Sequence, residues 1–243
     1  MQVELLSHWG DDLTVVNNAR VSFDKESLEL SQQDIRLIGY LARGCTLGDY
    51  ETMLAELAVT GEVEEISHIV DHWRKTPTHW APFANGVGAR FRVKLPIPMM
   101  RQLFKHKVGS VESEVSRRYV DYQPEVFKPF WRKAADNVKQ GSGGRFYGKN
   151  QEAITEAYEV SIQLALKTYQ DMIAKGVCPE QARFVLPQGA YSEAIISHSL
   201  YGWANVFNQR TDPHAQQEIA EVARQVGNAL AQEFPVSWDA LTA

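Results

Sequence analysis

Cysteine is nearly absent: the chain holds only Cys45 and Cys178. Two cysteines without paired spacing exclude a disulfide framework and a cysteine-ligated zinc site. Neither sits in a pattern with a base, so no thiolate nucleophile is expected, and buried packing is the default for an isolated cysteine. This usage fits a reducing, cytoplasmic setting. No apolar run reaches the ~18 residues a membrane helix needs. The opening MQVELLSHWGDDL lacks the basic-then-apolar pattern of a secretory leader. Cations are not in excess either: 25 Lys+Arg against 30 Asp+Glu give a net charge of −5. That balance speaks against a general nucleic-acid binder, though not against one local anion site. No internal repeat and no shift in composition marks a boundary. At 243 residues the chain can bury a core without staples, and we expect one domain over residues 1–243.

What is present reads as many helices and few strands. VELL near the start suggests a short strand, and DDLTVVNNARVSF a helix with an acidic first turn. SQQDIRLIGYLARG reads as a clearer helix, with Ser31 and Asp34 as a capping box and Gly44 at its end. Two more helical stretches are expected, over 50–59 and 63–73. ARFRVKL alternates, with Phe91, Val93 and Leu95 on one face and Arg90, Arg92 and Lys94 on the other, the pattern of a half-buried strand. PIPMMRQLFKHK predicts a helix with prolines in its first turn. Residues 136–150, around KQGSGGRFYGKN, predict a flexible segment. A long helix is expected over 151–175, its stripe being Ile154, Tyr158, Ile162, Leu166, Tyr169 and Ile173. PEQARFVLP and SLYGWANVFNQR predict further helices, and Asp212-Pro213 is expected to open the last one.

Three features carry candidate chemistry. His68 and His72 in HIVDHW have metal-ligand spacing, but no glutamate follows the first histidine, so an ordinary amphipathic helix is the better reading. GSGG at 141–144 lacks the lysine and hydroxyl residue of a phosphate-cradling loop. The third is FKHKVGSVESEVSRRYVDY, residues 104–122. Lys105 and Lys107 suit a helix C-terminus. That does not account for Arg117-Arg118 beside Ser116, nor for Arg183 and Arg210 in otherwise apolar or amide-rich helices. Guanidinium forks match phosphates and planar edges, and serine hydroxyls with loop amides complete an anion cradle. The residues alone point to a pocket for a phosphorylated planar ligand.

KHKVGSVESEVSRRY resembles the signature of the flavin-dependent thymidylate synthases: Arg-His-Arg, seven or eight residues, Ser, then Arg-Tyr. Here eight residues separate Lys107 from Ser116. NNARVSF, HWAPF, ARFRVKLPIPMMRQLFKHK and ARFVLP with NVFNQRTDPHAQQEI match other blocks of that family in order. The resemblance implies an α+β fold, a helix-rich domain with a small antiparallel or mixed sheet. It also implies a homotetramer whose active sites are shared between chains.

The activity implied is conversion of dUMP to dTMP, with methylenetetrahydrofolate as one-carbon donor, FAD as flavin and NADPH as reductant. By position, Gln102, Leu103, Phe104 and Lys105 would line the dUMP site. So would Glu114, Val115, Ser116, Arg117, Arg118 and Arg183. Ser116 would act as a binding hydroxyl and not as a nucleophile. Arg210 would hold the uracil edge and stabilise charge developing there. FAD would meet Ser22, Lys105, His106, Lys107 and Glu114, and also Ser199, Leu200, Tyr201, Asn205 and His214. His79 matches a loop histidine near the flavin, taken as a second catalytic candidate. No metal is implied, and no motif places the folate.

This chain departs from the pattern in three places. Lysines replace both signature arginines, keeping charge without the planar fork. Ala81 replaces a hydroxyl residue, and Ser199 and Tyr201 replace an Asn and an Arg. Two alternatives remain open. One is a family member that hydroxymethylates dUMP. The other is an inactive nucleotide-binding module, against which Gln102 and Arg210 argue.

Overall fold

The computed structural model describes residues 1–43, 79–135 and 141–242. The helices expected at 50–59 and 63–73, together with Cys45, His68 and His72, lie outside those residues. Strand β1 (Gln2–Trp9) leads into α1 (Asp12–Arg20) and α2 (Gln32–Arg43). Strand β2 (Gly88–Pro96) runs directly into α3 (Ile97–Leu103), and β3 (Ser110–Glu114) follows. Then come α4 (Lys149–Ala174), the single turn α5 (Pro179–Ala182), β4 (Tyr191–Ser199) and α6 (Leu200–Arg210). Two last helices, α7 (Gln217–Glu233) and α8 (Pro235–Thr242), close the chain. The fold is α+β, and the sheet is antiparallel throughout with the order β1-β2-β4-β3.

The alternation of β2 gives what it promises. Ala89, Phe91, Val93 and Leu95 have no solvent exposure, while Arg90 and Arg92 stay on the open face. Each fully buried large apolar side chain contributes about 1.5–3 kcal/mol. β4 lies alongside with Phe91 opposite Ile196 and Ala89 opposite His198, so its inward positions are Ala194, Ile196 and His198. Trp203 of α6 covers this face. Its ring meets Phe91 edge-on at 5.1 Å, and its indole N–H donates to the Ala89 carbonyl over 3.0 Å. Ile219, Val222, Val226 and Leu230 of α7 complete the layer as a buried stripe.

Helix ends follow local chemistry. Asp11 accepts from the Thr14 amide at 2.7 Å while Thr14 answers the Asp11 amide at 3.2 Å, a capping box. The expected Ser31–Asp34 box is also present: the Ser31 amide donates to Asp34 over 3.0 Å and the Asp34 amide to the Ser31 hydroxyl over 3.2 Å. Burial alone would raise the Asp34 pKa. Hydrogen bonds from Ser31 and Arg20 outweigh it and hold the carboxyl well below the usual carboxylate range. Asp12 is buried and accepts from the Val236 and Ser237 amides at 2.9 and 2.8 Å. It thereby satisfies two free amides of α8.

Several expectations are corrected. β4 stands where no strand was foreseen, and β3 where a loop was. α7 begins at Gln217 instead of Pro213. The Asp212 carboxylate accepts from the His214 amide two residues on at 2.8 Å, so it forms a local turn instead of a cap. α8 was not foreseen at all. Ile154 remains 41% exposed, so the buried stripe of α4 narrows to Ile162, Leu166 and Tyr169. Within 136–150, residues 136–140 lie outside those described and Lys149 already belongs to α4. The amide of Lys133 bonds the Gly144 carbonyl at 2.9 Å, and that of Phe146 the Trp131 carbonyl at 2.9 Å.

Candidate active site

The turn after α3 is the centre of the candidate site. β2 and α3 are contiguous, so the buried strand delivers Gln102 through Lys107 to a fixed place. Gly109 has a φ of +72°, which a residue with a side chain rarely adopts, and it turns the chain into β3. Arg210, the last residue of α6, reaches this turn. Its Nε donates to Nε2 of His106 over 2.9 Å, and Nη2 donates to the Gln102 carbonyl over 3.0 Å. Burial, the Arg210 charge and then His198 lower the His106 pKa to about 4. The imidazole is therefore neutral at pH 7. A guanidinium only donates, so Nε2 of His106 accepts and its proton sits on Nδ1.

Phe104, in the same turn, lines a cavity of about 540 Å³. The signature residues Glu114, Val115, Ser116 and Arg117 meet Arg183 in its wall. Glu114 accepts from the Ser192 hydroxyl at 2.5 Å. Arg117 is fixed by donating Nη1 to the Tyr122 carbonyl at 2.6 Å and by lying 4.5 Å over the Tyr122 ring. Arg183 is tied through Nε to the Glu180 carbonyl at 3.1 Å. Two guanidinium groups and a hydroxyl thus share one concave wall, a donor set suited to a phosphate. Phe184, Gln188 and Tyr191 also line it and went unnoticed in the sequence, where no motif marks them.

A second cavity of about 950 Å³ is lined among the described residues by Ser22, Phe23, Arg20, Lys25, Tyr40, His79 and Trp80. The His79 and Tyr40 rings stack at 5.8 Å, and Trp80 packs 5.7 Å from Tyr201 of α6. Ser22 and His79, far apart in sequence, therefore share a wall. Large size, aromatic faces and cations fit a bulky planar ligand that bears anionic groups.

Other candidates stand elsewhere. Leu103 and Leu200 are buried, at 4% and 0% exposure, and the Leu200 amide is taken by the Val87 carbonyl at 3.0 Å. Ser199 caps α6, accepting from the Gly202 amide at 3.1 Å. Gln102 bonds Gln216 through its side chain at 2.8 Å. Lys107 pairs with Glu112, and Lys105 is exposed. Arg118 points away to Glu180 at 3.4 Å. Asn205 is half-buried on α6, and His214 is exposed, 3.0 Å from Asp212. His79 and Arg210 stand in different places, the larger cavity and the turn after α3. Cys178 is exposed. Among the described residues no cluster of three His, Cys, Asp or Glu is placed to hold a metal, and no helix is long and apolar enough to cross a membrane.

The profile of the family described as thymidylate synthase complementing protein matches residues 4–236. The chain belongs to that family. It is 30% identical over 239 residues to a flavin-dependent thymidylate synthase of Thermus thermophilus, covering 98% of this chain and 74% of the relative. The enzyme of the same name from Kosmotoga olearia is 29% identical over 241 residues, covering 98% and 88%. Among solved structures, the UMP/dUMP methylase PolB from Streptomyces cacaoi bound with 5-Br dUMP superposes with a TM-score of 0.76. It is 25% identical, with 99% of this chain and 94% of that one covered. The same methylase bound with 5-Br UMP gives 0.74. Family and fold thus agree: the match runs over residues 4–236 and the superposition covers 99% of this chain.

Proposed function

We propose that this protein converts dUMP to dTMP as a flavin-dependent thymidylate synthase. Methylenetetrahydrofolate is the one-carbon donor and NADPH the reductant. One observation carries the reading: Ser116, Arg117 and Arg183, drawn from two distant blocks, meet in one cavity beside the turn that Arg210 holds. In this reading Arg117 and Arg183 grip the nucleotide phosphate, with Ser116 adding a neutral donor. Arg210 uses two of its donors on protein and presents the rest of its fork to the uracil edge. There a fixed cation stabilises the negative charge that builds as the ring is activated.

The larger cavity would hold FAD against Trp80, Tyr40 and His79, with Ser22, Arg20 and Lys25 toward its polar parts. The bound flavin supplies the reducing hydride. The chain's own residues bind and orient the nucleotide beside it. Apolar side chains at 71%, 76% and 89% exposure, Val21, Phe23 and Leu28, suit burial against other copies in a homotetramer.

A test is absorption spectroscopy with FAD, followed by dUMP titration. We expect a shifted flavin spectrum that dUMP perturbs further. A spectrum identical to that of free FAD would overturn the reading. Because the similar methylase acts on UMP as well as dUMP, UMP belongs in a parallel titration. Weaker binding of UMP than of dUMP is expected for a synthase.

A further inference from the structure

The turn that carries His106 is held from a second direction. Nε2 of His198, on the inward face of β4, lies 3.1 Å from the His106 carbonyl oxygen. A carbonyl only accepts, so His198 carries its proton on Nε2 and leaves Nδ1 bare. That nitrogen is buried with no hydrogen-bond partner among the described residues, and the residue is 3% exposed. Alanine and isoleucine fill the preceding inward positions of β4, at 194 and 196. An aliphatic side chain at 198 would carry no orphaned acceptor. Yet the surroundings are shaped for the ring. A Cβ at Gly202 would fall 2.0 Å from Nδ1, so the first turn of α6 admits this imidazole only because residue 202 is glycine. Trp203 closes the other side at 5.3 Å.

The turn itself is lightly tied. Lys105 reaches the Gln102 carbonyl only at 3.4 Å and His106 the Leu103 carbonyl at 3.2 Å. Arg210 draws on the same Gln102 oxygen. We infer that His198 is a positioning residue: its Nε2–H bond to the His106 main chain fixes the imidazole whose Nε2 receives Arg210, and so sets the guanidinium in register. The inference rests on the role given to Arg210 above, but its geometry can be read independently of turnover.

The test compares His198→Leu, His198→Gln and Gly202→Ala by nitrogen NMR of the His106 ring, beside kcat and KM for dUMP. Glutamine can place an N–H where Nε2 stands; leucine cannot, and a methyl at 202 expels the ring. We expect wild type and His198→Gln to hold His106 in the single Nδ1–H form, and His198→Leu and Gly202→Ala to mix tautomers. We expect kcat to fall about tenfold or more in the latter two, as small misplacements of reacting groups do. KM is expected to change less, and His198→Gln to stay within about threefold of wild type. If His198→Leu does not fold, the contrast of His198→Gln with Gly202→Ala decides. An unchanged His106 tautomer in the disrupted variants, or no recovery with glutamine, overturns the inference. If wild type fails to turn over dUMP, the functional reading falls, and the NMR contrast alone still decides the role of His198.

Discussion

Arg210 and His106 are joined at the one imidazole nitrogen that carries no proton, Nε2, at 2.9 Å. Burial, and then the Arg210 charge, keeps the histidine neutral, and the bond holds the arginine stationary. A protonated His106 could not accept it, so the pair holds only while the ring is deprotonated. Lys105 and Lys107, its neighbours in sequence, lie exposed on the outside of the same turn. The turn thus separates a solvated cationic edge from a half-buried guanidinium aimed inward.

The first prediction concerns pH. His106 titrates near 4 in the fold and near 6.5 when unfolded. The unfolded chain then binds the extra proton first as pH falls. The stability the neutral ring provides is complete above about pH 6.5 and is lost progressively toward pH 4. His198, whose pKa burial also lowers, acts in the same direction. Urea midpoints measured from pH 7.5 to 4 are expected to fall across this window, and His106→Gln is expected to flatten the slope. An equal slope in the variant contradicts the assignment.

Arg210→Ala is expected to lower kcat about a hundredfold, on the order of 3 kcal/mol, as loss of one donor to a developing charge does. Arg210→Lys is expected to recover only part, since a point charge cannot hold a planar edge in register. A raised KM for dUMP with kcat intact would reduce Arg210 to a binding contact.

Lys105→Arg and Lys107→Arg are expected to leave turnover within about threefold, because each keeps the charge. A larger loss in steady-state kinetics would show that the exposed edge is specific for ammonium groups.

Two stability predictions rest on single polar groups. Asp12→Ala strips two amides of α8, one buried and one part-buried, of their acceptor and is expected to cost about 1–3 kcal/mol in urea unfolding. Arg132 reaches Glu218 of α7 through two bonds of 2.8 and 2.7 Å. Arg132→Leu leaves that carboxylate unpaired and is expected to cost about 1.5–3 kcal/mol. Values near zero would mean solvent replaces these bonds.

The buried face of β2 was legible because Phe91, Val93 and Leu95 alternate with cations. β4 was not. Its inward positions include a small residue and a histidine, and serine and glutamate break the remaining pattern, so no two-residue period emerges. β3, SVESE, is a polar edge strand that only pairing with β4 makes visible. Pro235 opens α8, but its helix signal depends on Asp12, more than two hundred residues earlier in the chain. For the site, Glu114 to Arg117 group because they are contiguous; Arg183 and Arg210 stand out as isolated arginines in apolar or amide-rich helices, and only the resemblance to a family gives each a separate role. Phe184 comes to the same wall from the helical turn Arg183–Val185, Gln188 from the loop after it and Tyr191 from the start of β4. His198 is legible only once the strand register is known.

The reaction is tested by the mass of the nucleotide product. The protein would be supplied with dUMP, methylenetetrahydrofolate, FAD and NADPH, with Arg210→Ala run alongside. Wild type is expected to give dTMP, and the variant about a hundredfold less. Hydroxymethylated dUMP as the end product, or dUMP left unconsumed while FAD is bound, would contradict it.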